Sequence, residues 1–168
     1  MSIILLPLGV KSNDPFVRKT YDEIKRFLPN IEMAASLDLP VSAYYKPRGR
    51  YRADSLIHWM SLKAKDNQIY LGITTTDISA TKGGYADWGL MGLGYCPGNA
   101  AVASNFRVKD KYQFWKVAIH ELGHTSGLPH CPVKTCFMRD AEGKDNTEQE
   151  IEFCEKCKAF LIEKGWRM

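Results

Sequence analysis

His-Glu-Leu-Gly-His-Thr-Ser-Gly-Leu-Pro-His, residues 120–130, holds three of the four histidines in this chain. His120 and His124 are four apart on a predicted helix, so both imidazoles project from one face and can grip a single ion. Glu121 adjoins the first ligand and is placed to reach the open side of that ion rather than to bind it. Gly127 can adopt the positive φ that ends a helix sharply. The chain then turns back, and His130 supplies a third nitrogen. Three neutral nitrogen donors plus water make a tetrahedral zinc site with one open position, the arrangement of catalytic zinc. His58, the remaining histidine, sits beside Trp59 on a separate predicted helix and reads as structural.

Cysteines follow at once. Four of the five lie in the last 38 residues: Cys131, Cys136, and the Cys-x-x-Cys pair Cys154 and Cys157. A helix is expected to begin near Thr147, where Thr147 and Glu150 have capping-box spacing. On it, Cys154 and Cys157 share a face. Four thiolates suit a closed, structural zinc site. Two disulfides, cross-paired between Cys131/Cys136 and Cys154/Cys157, are the competing reading. The N-terminal run Met-Ser-Ile-Ile-Leu-Leu-Pro-Leu-Gly has no basic segment and is short for an export signal. A reducing cytoplasm is therefore the expected compartment, and thiols there are more often ligands than disulfides. Cys96 is left over, and a buried or partly buried free thiol is the expectation.

Together, residues 120–138 and the later Cys-x-x-Cys resemble the archaemetzincins, a metzincin-clan family of zinc metallopeptidases. Their signature couples the three-histidine motif directly to a cysteine, then a Cys-x-Met segment, then a distant Cys-x-x-Cys. Here these are Cys131 after His130, Cys136-Phe137-Met138, and Cys154 to Cys157. The 15 residues between Met138 and Cys154 are slightly fewer than the family's usual spacing. The resemblance implies that His120, His124 and His130 hold catalytic zinc and that Glu121 is the general base and acid. It implies a second, structural zinc on the four cysteines, hence two zinc ions per chain. Met138 takes the place of the Met-turn methionine, a hydrophobic floor beneath the catalytic metal. In such clefts an antiparallel edge strand lines the substrate, and Gly92, Leu93, Gly94 and Tyr95 are the candidates. Glycines there would let a substrate backbone pair as an added strand. Tyr95 either donates a hydrogen bond to an oxyanion or is a packed aromatic.

Upstream, the pattern is α/β. Residues 3–8 form a short apolar run, read as a buried strand. Asp14-Pro15 is an N-cap followed by proline at the first helical position, and Pro29 stops that helix. Strands are expected over 31–36, 68–74 and 101–108, and a second helix over 53–64. Residues 37–50 read as a loop. Residues 81–99 read as a glycine-rich loop feeding an irregular edge strand around 89–95. A third, deeply buried helix is expected from Asp110, with Gln113 completing a capping box. The alternation predicts one α/β domain over 1–168 with a mixed, mostly parallel, twisted sheet. Residues 1–108 would supply most of the sheet and two helices. Residues 109–168 would supply the active-site helix and a C-terminal helical part stapled by zinc.

Composition fits this reading and excludes others. With 45% apolar and 25% charged residues in 168, the chain is close to the globular average and long enough to bury a core. No apolar run suits a membrane span. The net charge of +4 is mild. Its one basic cluster, Lys46, Arg48, Arg50 and Arg52, reads as a solvated loop, not as a nucleic-acid surface. A monomer acting on peptides or small proteins is expected. A zinc-stabilised peptide-binding module with little turnover is the alternative, against which the intact Glu121 weighs.

Overall fold

A computed structural model describes residues 2–168. Its strands and helices run β1 (Ser2–Pro7), α1 (Pro15–Phe27), β2 (Ile31–Met33), β3 (Tyr44–Tyr45), β4 (Arg50–Arg52), α2 (Ala53–Ser61), β5 (Gln68–Thr74), β6 (Ile78–Lys82), β7 (Tyr85–Leu90), β8 (Gly92–Gly94), β9 (Ala100–Ser104), α3 (Phe114–Thr125) and α4 (Glu155–Glu163). Five strands make one sheet in the order β2-β1-β5-β9-β8. The first four are mutually parallel, and β8 pairs antiparallel with β9 at the edge. The sequence reading of a mostly parallel sheet with an antiparallel edge strand is therefore what the chain adopts.

The continuous apolar run of β1 is explained by burial on both faces, since alternate side chains point to opposite sides of a sheet. Ile3 and Leu5, with Ile69, Leu71, Ile73, Ala101 and Ala103, pack under α1 and α3. Leu6, Leu8, Ala100 and Val102 pack on the other face with Leu56, Ile57 and Met60 of α2. Helix α1 starts as its sequence predicts, with Pro15 at the first turn and the Asp14 side chain accepting the Phe16 N–H at 3.1 Å. Gly127 takes φ +95° just past α3.

Several expectations are corrected. Residues 37–50 and 81–99 are not mainly loop: they contribute β3, the first residue of β4, and most of a second, four-stranded sheet in the order β3-β4-β6-β7. β3 and β4 are only two and three residues long, and β6 and β7 mix aromatic and small residues with charged ones, so they carry little hydrophobic periodicity. The basic cluster is not a solvated loop either. Arg50 is 6% exposed and pairs with Asp77 at 3.3 Å and with Asp87. Arg107 holds the other side of Asp77 at 2.8 Å. Those carboxylates lie 27 and 37 residues from Arg50, beyond the reach of a local pattern.

Strands β2 and β9 and helix α2 are shorter than expected. A single 3-10 turn over Lys111–Gln113 precedes α3. Asp110 caps that turn by accepting the Tyr112 N–H at 2.9 Å, and Gln113 makes no reciprocal capping bond. The last helix begins at Glu155 rather than near Thr147. The Thr147 hydroxyl and N–H are both taken by Asp145, which holds residues 145–150 in a turn instead.

Candidate metal centres

Helix α3 presents Lys116, Val117, His120, Glu121 and His124 to a cleft of about 930 Å³. The cleft is bounded by β7 and β8 on one side and by residues 139–150 on the other. His120, His124 and His130 bring ring nitrogens within 4.8 Å of one another. Three donors about 2.0–2.1 Å from one zinc ion would sit roughly 3.3 Å apart, which is the scale on which these nitrogens are grouped. The rings are already oriented. His120 Nδ1 lies 2.6 Å from the Phe137 carbonyl, and His124 Nδ1 lies 2.8 Å from the Leu128 carbonyl. A carbonyl only accepts, so each Nδ1 carries the proton and Nε2 is left free to donate to a metal. His130 Nδ1 faces Asp140 at 3.4 Å and makes the same arrangement with a carboxylate. Burial, reinforced by His124, pushes the His120 imidazole down to about 3, so it is neutral and ligand-ready at physiological pH.

Glu121 is 6% exposed and contributes no atom to that ligand group. Burial pushes its carboxyl up to about 8, against a smaller opposing effect of the Gly94 backbone. A cation bound nearby would favour the ionised form.

The edge strand β8 explains why this carboxylate fits. A Cβ on Gly92 would stand 2.5 Å from Glu121 Oε1, and one on Gly94 would stand 2.6 Å from the Glu121 carbonyl. The space of both missing side chains is filled by Glu121 and its helix. Gly92, Leu93 and Gly94 also line the cleft, whereas Tyr95 follows the strand, is half exposed and is not among the lining residues. Gly92→Ala is expected to leave the fold and metal content intact while displacing Glu121. A displacement approaching 1 Å can cost about 100-fold in kcat. Steady-state kinetics beside zinc analysis checks this.

The placement of Met138 has a similar cause. Met138 is fully buried, and its sulfur occupies the place where a Gly123 side chain would project. The glycine inside the histidine motif thus admits Met138 beneath the helix. This pairing was missed in the sequence because neither residue advertises the other.

The second group is closed. The Sγ atoms of Cys131, Cys136, Cys154 and Cys157 lie within 4.8 Å of one another, all four as free thiols, with Cys131 and Cys154 3.6 Å apart. Sulfurs 2.3 Å from a tetrahedral zinc would be about 3.8 Å apart, so the donor set fits that ion. It is also too long for the disulfides of the competing reading, whose S–S bond is about 2.05 Å. Backbone N–H groups point at the sulfurs: Val133 at Cys131, and both Met138 and Cys154 at Cys136, at 3.3–3.5 Å. Such donors favour thiolate. Burial and the neighbouring cysteines nevertheless hold the Cys157 thiol far above its ordinary range, because four like charges cannot gather without a cation. Cys154 is the N-cap of α4 and Cys157 lies in its first turn, so the pair converges at a helix start rather than along a helix face. Cys96 is exposed on the cleft wall, contrary to expectation, and His58 is exposed on α2.

The two groups meet at adjacent peptide groups. The Phe137 carbonyl binds His120, and the next carbonyl, of Met138, accepts the Cys131 N–H at 2.7 Å.

Nitrogen ligands converging on one ion beside an unligated carboxylate, all facing an open cleft, are what metal-assisted amide hydrolysis needs. The class so defined is the zinc metallopeptidases. Residues 3–163 match the family model described as peptidase family M54, and the chain belongs to that family. An archaemetzincin of Methanopyrus kandleri is 32% identical over 130 residues, covering 73% of this chain and 72% of the relative. The crystal structure of archaemetzincin from the same organism superposes with a TM-score of 0.77 at 27% identity, over 96% of this chain and 94% of that one. Archaemetzincin from Archaeoglobus fulgidus, crystallised with malonate, gives 0.75 at 25% identity, over 95% and 99%. Among the described residues, no helix is long and apolar enough to cross a membrane.

Proposed function

We propose that Glu121 carries the proton chemistry of peptide-bond hydrolysis, with His120, His124 and His130 as the ligands of a catalytic zinc. The observation that carries this reading is the buried Glu121 carboxylate, held against β8 beside three histidine nitrogens but outside their ligand group. Zinc bound there supplies Lewis acidity and lowers the pKa of water to about 7. Glu121 takes a proton from the attacking water as the new C–O bond forms, then delivers it to the amine nitrogen as the C–N bond breaks. Gly92 and Gly94 position that carboxylate, and Leu93 lies between them on the cleft wall. Tyr95 would need to turn inward to reach an oxyanion. Met138 acts as the Met-turn floor, packed under Gly123.

Cys131, Cys136, Cys154 and Cys157 hold a second, structural zinc. It ties the segment carrying His130 to α4 and, through the adjacent carbonyls of Phe137 and Met138, to His120. Four ligand thiols suit a reducing compartment such as the cytoplasm. The substrate is a peptide or small protein, and the chain works as a monomer.

Metal content tests the scheme. Two zinc ions per chain are expected by elemental analysis of gently purified protein. A chelator should remove the histidine-bound ion first and end hydrolysis, and added zinc should restore it. Peptide binding without turnover at full zinc occupancy would instead favour a binding module.

A further inference from the structure

Four buried lysine, arginine or glutamate side chains line the cleft among the described residues: Arg50, Lys116, Glu121 and Glu150. The first three have partners or a role. Arg50 is paired with Asp77 and Asp87. Lys116 Nζ donates to the main-chain carbonyls of Thr147 at 2.7 Å and Glu150 at 2.6 Å. Glu121 belongs to the reaction.

Glu150 is 7% exposed, and among the described residues only through-space charges, with no hydrogen bond, act on its carboxylate. The charged groups that bear on it are committed elsewhere. Lys116 is held by main chain. Arg139 reaches the Gln149 side chain at 2.6 Å, and Asp145 takes the N–H groups of Lys109 and Thr147. Burial pushes the Glu150 carboxyl up to about 7. Its oxygens keep contact with the water of the cleft, unlike the buried unpartnered atoms of Asp54, Ser79 and Asp87; a bound substrate would displace that water, and the partner can arrive with the substrate.

Its position fits. Lys116 grips the Glu150 main chain and stands four residues before His120 on α3, about one 5.4 Å turn away. A peptide whose scissile bond lies over His120 would bring a neighbouring side chain to Glu150.

We infer that Glu150 is a specificity-determining residue that receives the ammonium or guanidinium of a substrate lysine or arginine, one or two residues from the scissile bond. This rests on the peptidase reading, so its test has a readout independent of turnover. Labelled peptides identical except for lysine, norleucine or glutamate at one position are offered to zinc-loaded protein. Cleavage is read by mass spectrometry, and binding is read by fluorescence polarisation on the Glu121→Gln protein. Lysine is expected to exceed norleucine by about 10- to 100-fold in both readouts, with glutamate last. Glu150→Gln should collapse that ratio to near one, and Glu150→Asp should leave an intermediate ratio. Binding preference without turnover would sink the peptidase reading and keep Glu150 as a cation site. No lysine preference in the wild-type protein, or one undiminished in both Glu150 variants, overturns the inference.

Discussion

Glu121→Gln is expected to lower kcat by about 10³- to 10⁴-fold while leaving zinc content and peptide binding unchanged. General acid–base catalysis by one positioned group contributes on that order. The amide keeps the volume that fills the space beside Gly92 and Gly94, so the helix-to-strand packing survives. Kinetics and elemental analysis on one preparation decide the matter. Retained hydrolysis would remove Glu121 from the mechanism, and lost zinc would make it a ligand.

The same variant has a consequence for stability. In metal-free protein the folded carboxyl holds its proton up to about 8, while the unfolded chain releases it near 4.5. Between those values the folded state binds more protons, so stability falls as pH rises. Glu121→Gln removes that contribution to the slope. Denaturant melts of both chelated proteins between pH 5 and pH 8 should therefore diverge progressively, with the variant the steadier at the upper end.

Cys157→Ser is expected to cost the protein its cysteine-bound zinc and about 3 kcal/mol or more, the upper end of ordinary single-substitution effects, where loss of a metal belongs. For a chain of this size that is roughly 6–12 °C in Tm. Activity should fall as well, although no cysteine touches the reacting atoms. The Met138 carbonyl binds the Cys131 N–H, and the Phe137 carbonyl orients His120, so loosening one centre loosens the other. Cys96→Ser should change neither zinc count nor Tm, since Cys96 is exposed and outside both groups. Calorimetry with zinc analysis on the two variants tests this. An unaltered histidine-site zinc and full activity in Cys157→Ser would show that the two centres are independent.

Both candidate metal centres were legible because the histidines and cysteines that come together crowd into residues 120–157, where helix period and turn geometry decide which side chains meet. The four-residue spacing of His120 and His124, and the turn after Gly127, are local facts that a sequence states directly. The parallel sheet was legible for the same reason, since a strand buried on both faces leaves a continuous apolar run such as residues 3–8. The second sheet was not. Two of its strands are only two or three residues long, the others mix aromatic, small and charged residues without a clear period, and Arg50 finds its carboxylates across separations that no local period encodes.

Roles divide along the same line. The sequence by itself determined which histidines and cysteines could serve as a ligand set and that a glutamate stands beside the histidines, because metal chemistry restricts residue types and spacing. Only the tertiary structure decided how that glutamate is held. Packing between distant segments sets α3 against β8, where Gly92 and Gly94 make room for Glu121, and sets Met138 under Gly123. It also left Glu150 buried on the cleft without a partner, a property of surroundings assembled from α3 and residues 139–150 that no single stretch of chain contains.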